Sequence, residues 1–380
     1  MSTAPGAILT IDRSVAQVSA VPAVAGEATR LFVREKVRSS LLDAAGGKVP
    51  EANVVLMIHG GYWPSTVLFD LPYAPPHGGE DGDAPYSWME ALALHGFDVF
   101  AMDMTGTGAS SRPMMDDPGN LSPESQALLV PRTLLAVREP SYPYRLATSD
   151  SEAADIDRVV DAIRELRGVA RVNLIGWSGG GIRIGTYAVR HPEKVARLVI
   201  WASSNYADDG PDAPPANLPE PGYPVRFQDR ATGEGVRWRP NVRRAGQVAP
   251  GVMDVVWQQT YLSDPVGASW GPGGLRGPTR TYWGWNAGAA GTITAPTLVM
   301  AGEYDRLMAS NRDLYRALGA KEKVFIAIDG ASHFMTWEKQ RRVLHAASAA
   351  WLRSDGINGR AEGAFRADYD GTITAEEDVV

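Results

Sequence analysis

Short, nearly unbroken apolar runs recur along the chain and alternate with stretches of helical periodicity. The runs are Ala52 to Ile58, Phe97 to Met104, Arg171 to Ile175, Ala196 to Ala202, Ala295 to Gly302 and Lys323 to Ile328. Apolar on both faces, they predict strands buried inside a parallel sheet. Between them, Trp88 to His95, Ser149 to Leu166, Ile182 to Arg190 and Trp337 to Leu352 carry apolar residues at helical spacing. Ser149 to Leu166 is the clearest of these, with an acidic, capped start. Ahead of them all, Val15 to Val21 and Thr29 to Val37 read as an edge hairpin. The alternation predicts an α/β fold with a mainly parallel sheet, in which ligands bind at the carboxyl ends of the strands.

Several stretches break the pattern. Residues 206 to 292 separate two sheet strands by far more than a connection needs. They open with six prolines between Pro211 and Pro224, contain a helical segment from Met253 to Leu262, and hold five of the chain's eleven tryptophans. The expectation is a cap or lid subdomain at 206–292 on a core made of 1–205 and 293–353. Residues 105 to 148 and 62 to 87 are smaller insertions. Beyond Leu352 the pattern stops, and Asp355 to Val380 carries seven acidic residues against two arginines. Residues 354–380 therefore read as an acidic C-terminal tail, mobile or docked on the surface.

Composition narrows the function. A formal net charge of -7 without a long basic run argues against nucleic-acid and membrane-surface partners. No stretch approaches the ~18 apolar residues of a membrane span. The start of the chain lacks a basic segment followed by an apolar one, so no signal peptide is expected and a cytoplasmic location is the default. There are no cysteines, which removes disulfides and thiolate chemistry. No His/Asp/Glu cluster has metal-ligand spacing, and no phosphate loop or dinucleotide fingerprint occurs, so neither metal nor cofactor is expected.

The run Arg171 to Ile175 breaks into Gly176-Trp177-Ser178-Gly179-Gly180 before helical periodicity resumes. A strand, a tight turn with a serine at its tip and a helix make up a nucleophile elbow. Glycines two residues before and after the serine give the strained turn room. The Gly179 N–H then faces the place where an oxyanion would form. The pentapeptide alone is weak evidence, because Gly267-Ala268-Ser269-Trp270-Gly271 repeats it. That copy has no strand before it and no helix after it, and reads as loop.

Four motifs stand in a telling order: His59-Gly60-Gly61, the elbow, Gly302-Glu303-Tyr304-Asp305, and Gly330-Ala331-Ser332-His333-Phe334. With them the chain resembles the α/β-hydrolase family over about residues 30 to 353, outside the cap interior. Met102 to Ser110 resembles the turn that family places after its next strand. The resemblance implies Ser178 as nucleophile, Asp305 as acid and His333 as base, in the family's chain order. A serine hydroxyl needs such a base, histidine titrates near working pH, and the acid fixes the imidazole tautomer. The N–H of Gly179 and a second one from Gly61 or Tyr62, with Gly61 favoured, would hold the oxyanion. Glu303, Asp208 and Asp209 are the competing acids. Of the other histidines, His59 reads as structural, His95 and His191 end helices, His345 lies on the last helix, and His77 sits in a Gly-rich loop. Trp177 beside the serine, and Trp257, Trp283 and Trp285 in the cap, are the candidate pocket residues.

A serine at the elbow, where haloalkane dehalogenases and epoxide hydrolases of this fold have aspartate, points away from those chemistries. The expected activity is a cofactor-independent serine hydrolase that cleaves a carboxylic ester through an acyl-enzyme. The aromatic cap suggests a bulky or hydrophobic small-molecule ester, with homodimer formation left open. Lactonase, amidase or peptidase and acyltransferase activity stay open, since the fold does not choose among them. A non-hydrolytic ligand-binding protein on the same fold is the reading from another class.

Overall fold

The apolar runs form the middle of a ten-stranded sheet in the computed structural model, which describes residues 6–44, 46, 48–74, 85–203 and 209–376. The strands are β1 (Ile8–Val18), β2 (Ala28–Arg38), β3 (Val54–Ile58), β4 (Asp98–Met102), β5 (Val172–Trp177), β6 (Val195–Trp201), β7 (Thr297–Gly302), β8 (Lys323–Ile328), β9 (Glu362–Ala367) and β10 (Ile373–Ala375). Their order across the sheet is β1-β2-β4-β3-β5-β6-β7-β8-β9-β10. From β4 to β9 all neighbours are parallel. The β1–β2 hairpin, the β2–β4 pair and β9–β10 are antiparallel. Every residue of β3, β4, β5 and β7 is buried, as strands covered by helices on both faces must be.

Helices Trp88–Leu94 and Arg341–Leu352 cover one face, where Trp88 and Trp351 pack against the sheet and Trp88 meets Trp201 of β6. Helices Ser149–Arg167, Gly179–Arg190 and Met308–Ala317 cover the other through Ile156, Val159, Ile182 and Leu314. The longest of these helices starts at a capping box, Thr148 with Ser151, and stops at Gly168, whose φ of 67° an L side chain rarely adopts. The chain leaves β3 for β4 on one side and later returns to β5 on the other. The carboxyl ends of β3 and β5 therefore flank a switch point, the place where open parallel sheets bind ligands.

Three expectations change. Residues 354–380 are not only a tail, because β9 and β10 within them extend the sheet, β9 pairing in parallel with β8 from Lys323↔Glu362 to Ile328↔Ala367. The acidic residues hid the strand because they occupy its exposed first position, Glu362, and the turn to β10 at Asp368 and Asp370. The insertions at 105–148 and 206–292 are also not separate. Met115, Leu121, Leu129 and Leu146 share one apolar cluster with Val225, Phe227 and Trp270. The backbone pairs as well, Ala147–Thr148 running parallel to Arg280–Thr281. Within the later insertion, Val225–Asp229 and Gly274–Pro278 form an antiparallel pair, and helix Val252–Ser263 packs beside it. Ser269 ends a short helix, Pro265–Ser269, rather than a loop, and its hydroxyl donates to Val266 O at 2.7 Å.

His345 gives the fold a pH dependence. It is 6 % exposed, stacks on Trp88 at 5.8 Å, and is pushed down to about 3 by burial and by the neighbouring Arg341. The folded protein holds this ring neutral while the unfolded chain protonates it below its ordinary value near 6.5. Its contribution is therefore complete above that value and is lost as pH falls towards 3. Over that window each pH unit is expected to cost up to about 1.4 kcal/mol. Denaturant midpoints of the wild type and His345→Phe, followed from pH 7 to 4, check this. Parallel curves would remove His345 as the cause.

Candidate active site

The serine turn is set by close packing around three glycines. A Cβ on Gly176 would lie 2.5 Å from Gly180 O, and one on Gly180 would lie 2.2 Å from Ile58 O. A Cβ on Gly60 would lie 2.9 Å from Ser178 Cβ. Only glycine allows the end of β3, the turn after it and the elbow to meet here. Ser178 itself has φ 53° and ψ −119°, a strained backbone that lifts its hydroxyl off the end of β5.

His333 and Asp305, on the loops after β8 and β7, converge on that hydroxyl. His333 Nε2 is 3.1 Å from Ser178 Oγ, and its Nδ1 is 2.8 Å from Asp305 Oδ2. Asp305 is buried, and its other oxygen accepts the Leu307 N–H at 3.0 Å. The competing acids stand apart from this relay. Glu303 accepts the Gly330 N–H at 2.8 Å and lies beside Arg244. Asp209 is exposed, while Asp208 and His77 lie outside the described residues. Of the remaining histidines, His95 and His191 cap helix ends.

The turn after β3 faces the elbow. Gly179 is the first residue of its helix, so its N–H has no intrahelical acceptor. Among the described residues the N–H groups of Gly61 and Tyr62 also make no bond to backbone carbonyls. All three residues line one cleft with Ser178 and His333. His59 holds the turn in place. Met104 N–H donates to its Nε2 at 3.0 Å, which assigns the proton to Nδ1, 2.9 Å from Gly60 O. Burial, with Arg183 and Arg280 nearby, pushes the His59 pKa well down and keeps the ring neutral. Arg183 grips the turn from behind through the carbonyls of His59 and Gly60.

A second buried carboxylate supports the histidine. Glu338 accepts Ser332 N–H at 2.9 Å, the Ser332 hydroxyl, Trp238 Nε1–H at 3.0 Å and Gln247 Nε2–H at 3.1 Å. It ties the loop carrying His333 to the segment after β6. Burial raises its pKa against the pull of these donors. Glu338→Ala would strand several buried donors and is expected to cost about 3 kcal/mol or more. A urea midpoint at unchanged m-value measures it. A change below about 1 kcal/mol would show that water replaces the carboxylate.

The cleft has a volume of about 960 Å³. Trp177 borders it, and its Nε1–H donates to His333 O at 3.0 Å. The other three candidate tryptophans lie elsewhere. Trp257 is 1 % exposed and packs edge-on to Trp63. Trp285 lies against Gly185 of the helix after the elbow. Trp283 is buried where its backbone N–H meets Ser149. They are core, which is the ordinary fate of tryptophans at this density. The cleft is lined instead by Trp63, Phe334, Tyr223, Tyr282 and a group of arginines.

Among the described residues no three His, Cys, Asp or Glu side chains group as a metal site, and no helix is long and apolar enough to cross a membrane. Comparison with curated proteins finds no match. Among solved structures, a serine hydrolase from the polyaromatic-hydrocarbon-degrading bacterium Cycloclasticus zankles is similar at 14% identity and a TM-score of 0.50, over 90% of this chain and 98% of that one. A thermophilic esterase from Thermogutta terrifontis is similar at 16% identity and a TM-score of 0.50, over 91% of this chain and 100% of that one. At these identities the likeness is one of fold. The family model described as alpha/beta hydrolase fold matches residues 53–340. Because that match spans most of the chain, and the strand order and the elbow agree with it, this protein belongs to the alpha/beta hydrolase fold family.

Proposed function

We propose that this protein is a serine hydrolase that cleaves a carboxylic ester through an acyl-enzyme, with Ser178, His333 and Asp305 as its triad. The observation that carries this reading is the hydrogen-bonded line from Asp305 through His333 to Ser178 Oγ, with contacts of 2.8 and 3.1 Å. Ser178 Oγ attacks the ester carbonyl carbon as His333 Nε2 takes its proton. The carbonyl π electrons move onto oxygen, which the N–H groups of Gly179 and Gly61 or Tyr62 receive. One such donor is worth about 3–4 kcal/mol of transition-state stabilisation. The tetrahedral species collapses, the C–O bond to the alcohol breaks, and His333 gives its proton to the departing oxygen. Water then repeats the sequence on the acyl-enzyme and frees the acid and Ser178.

The volume of the cleft suits a substrate larger than a simple acetate, in keeping with an expectation of bulk. Its lining sets aromatic residues, Trp63, Trp177 and Phe334, beside five arginines, so it suits a polar group on the substrate as well as a hydrophobic one. A fluorophosphonate probe tests the reading: one equivalent is expected on Ser178, located by peptide mass mapping. An unlabelled wild-type protein would favour the non-hydrolytic ligand-binding alternative.

A further inference from the structure

Five guanidinium groups, those of Arg145, Arg226, Arg237, Arg280 and Arg306, line the cleft around Ser178. Asp305 is the one carboxylate among the described lining residues, and it is committed to His333 and to the Leu307 N–H. Arg145 has Glu220 at 3.5 Å. Arg226, Arg237 and Arg306 form no ion pair among the described residues. Glu152 must serve two cations at once. Its Oε1 accepts from Arg183 Nη2 at 2.9 Å and from Arg280 Nε at 2.6 Å. All three side chains are at most 6 % exposed, so this buried group carries one positive charge in excess. Tyr282 stands beside Arg280 as a neutral neighbour and adds no full negative charge to the group. An uncompensated buried cation is costly, and an anion bound in the cleft would offset that cost.

The same arginines sit close to the reacting atoms. Arg226 Nη2 donates to Gly61 O at 3.0 Å, and its guanidinium is 4.5 Å from the centre of the Tyr62 ring. Arg237 is 5.3 Å from the centre of that ring. On the other side, Tyr282 Oη, next to Arg280, lies 3.8 Å from where a Cβ on Gly179 would stand. Burial, and then repulsion from Arg280 and Arg183, lowers the Arg226 pKa, a pressure that a bound anion would relieve.

We propose that Arg226, Arg237 and Arg280 form an anion subsite beside the oxyanion turn, and that the substrate is an ester bearing a carboxylate or phosphate group. This rests on the ester-hydrolase reading and names its substrate class. Guanidinium forks suit both anions, since each presents paired oxygens to paired N–H donors.

The test compares esters that differ chiefly in charge, each enzymatic rate being taken above its own uncatalysed hydrolysis. On the acyl side, 4-nitrophenyl hydrogen glutarate is set against its methyl ester. On the alcohol side, 4-acetoxybenzoate is set against methyl 4-acetoxybenzoate, with 4-acetoxyphenyl phosphate as the phosphate arm. In at least one series kcat/KM is expected to favour the anion by at least about tenfold at low salt. That preference should shrink as salt is raised, while the neutral rate stays level. Arg237→Glu, on the exposed rim, is expected to cut the anion-to-neutral ratio by roughly tenfold or more, and Arg226→Gln to cut it in the same direction. Equal or higher rates for the neutral ester in every series would overturn the subsite. Labelling of Ser178 would then leave the hydrolase reading standing. If none of the esters turns over, the same subsite is read by protection of Ser178 from the fluorophosphonate. Benzoate or phenyl phosphate should protect and benzamide should not; no protection by either anion overturns the proposal. Failure of labelling and of every ester together would overturn the hydrolase reading, and the subsite with it.

Discussion

Ser178→Ala is expected to lower kcat on any ester the protein turns over by about 10⁶-fold, leaving a residue set by the oxyanion donors and binding alone. The substitution removes one oxygen and nothing else the fold depends on. Alanine also tolerates the elbow, because room around residue 178 is made by Gly176, Gly180 and Gly60 rather than by the hydroxyl. His333 loses a partner at 3.1 Å, but its side chain is 21 % exposed and water can take that place. Melting temperature and circular dichroism should therefore match the wild type while turnover collapses. Activity within about tenfold of wild type would mean that Ser178 is not the nucleophile and that a water does the attacking, a far smaller loss than losing a triad serine brings.

How much of this was legible in the sequence depends on what kind of signal each part sends. The sheet was readable because β3 to β8 are buried over most of their length, and a strand with two covered faces is mostly apolar. The relay residues were readable because each follows such a strand, and parallel strands bring their carboxyl ends together whatever lies between them in sequence. β9 was not readable. Its burial is mixed, and Glu362 and Arg366 face water beside the buried Ala364, Phe365 and Ala367, so its composition looked like that of a tail.

The lining of the cleft was not legible for a different reason. Tryptophan density marks a small core as readily as a pocket, and Trp257, Trp283 and Trp285 serve the core. A better signal was present, since all eight cationic residues between 206 and 292 are arginine, with no lysine. Arginine is the cation chosen for forked, desolvated contacts. Equal numbers of acidic residues in the same stretch hid it, because net charge there is zero by sequence. Folding separates the two sets. Asp264 and Glu234 pair with Arg276, Arg112, Arg230 and Arg239 away from the serine. Arg226, Arg237 and Arg280 are left facing it. Glu152 and Arg183 come from two helices of the other insertion boundary and the elbow, so their joint grip on Arg280 and the oxyanion turn could emerge only in three dimensions.

Asp305→Asn carries the second largest expected effect, a fall in kcat of about 10⁴-fold, and the local hydrogen bonds explain why so small a change should do so much. Asp305 Oδ1 accepts from the Leu307 N–H at 3.0 Å while Oδ2 faces His333 Nδ1 at 2.8 Å. An asparagine has one acceptor oxygen, and the Leu307 N–H will hold it. The amide NH₂ must then face Nδ1, which can pair with it only as an acceptor. The imidazole proton is thereby moved to Nε2, so the nitrogen 3.1 Å from Ser178 becomes a donor and cannot take the serine proton. The positive charge of the imidazolium also loses its carboxylate. Because the shape of the site is unchanged, KM should move little and fluorophosphonate labelling should slow in proportion to kcat. Asp209→Asn and Glu303→Gln serve as controls. Asp209 is exposed and Glu303 is engaged with Gly330 and Arg244, so each should stay within a few-fold of wild type. If Asp305→Asn kept more than about a tenth of wild-type kcat while Asp209→Asn or Glu303→Gln lost it, the acid would have to be reassigned to that residue.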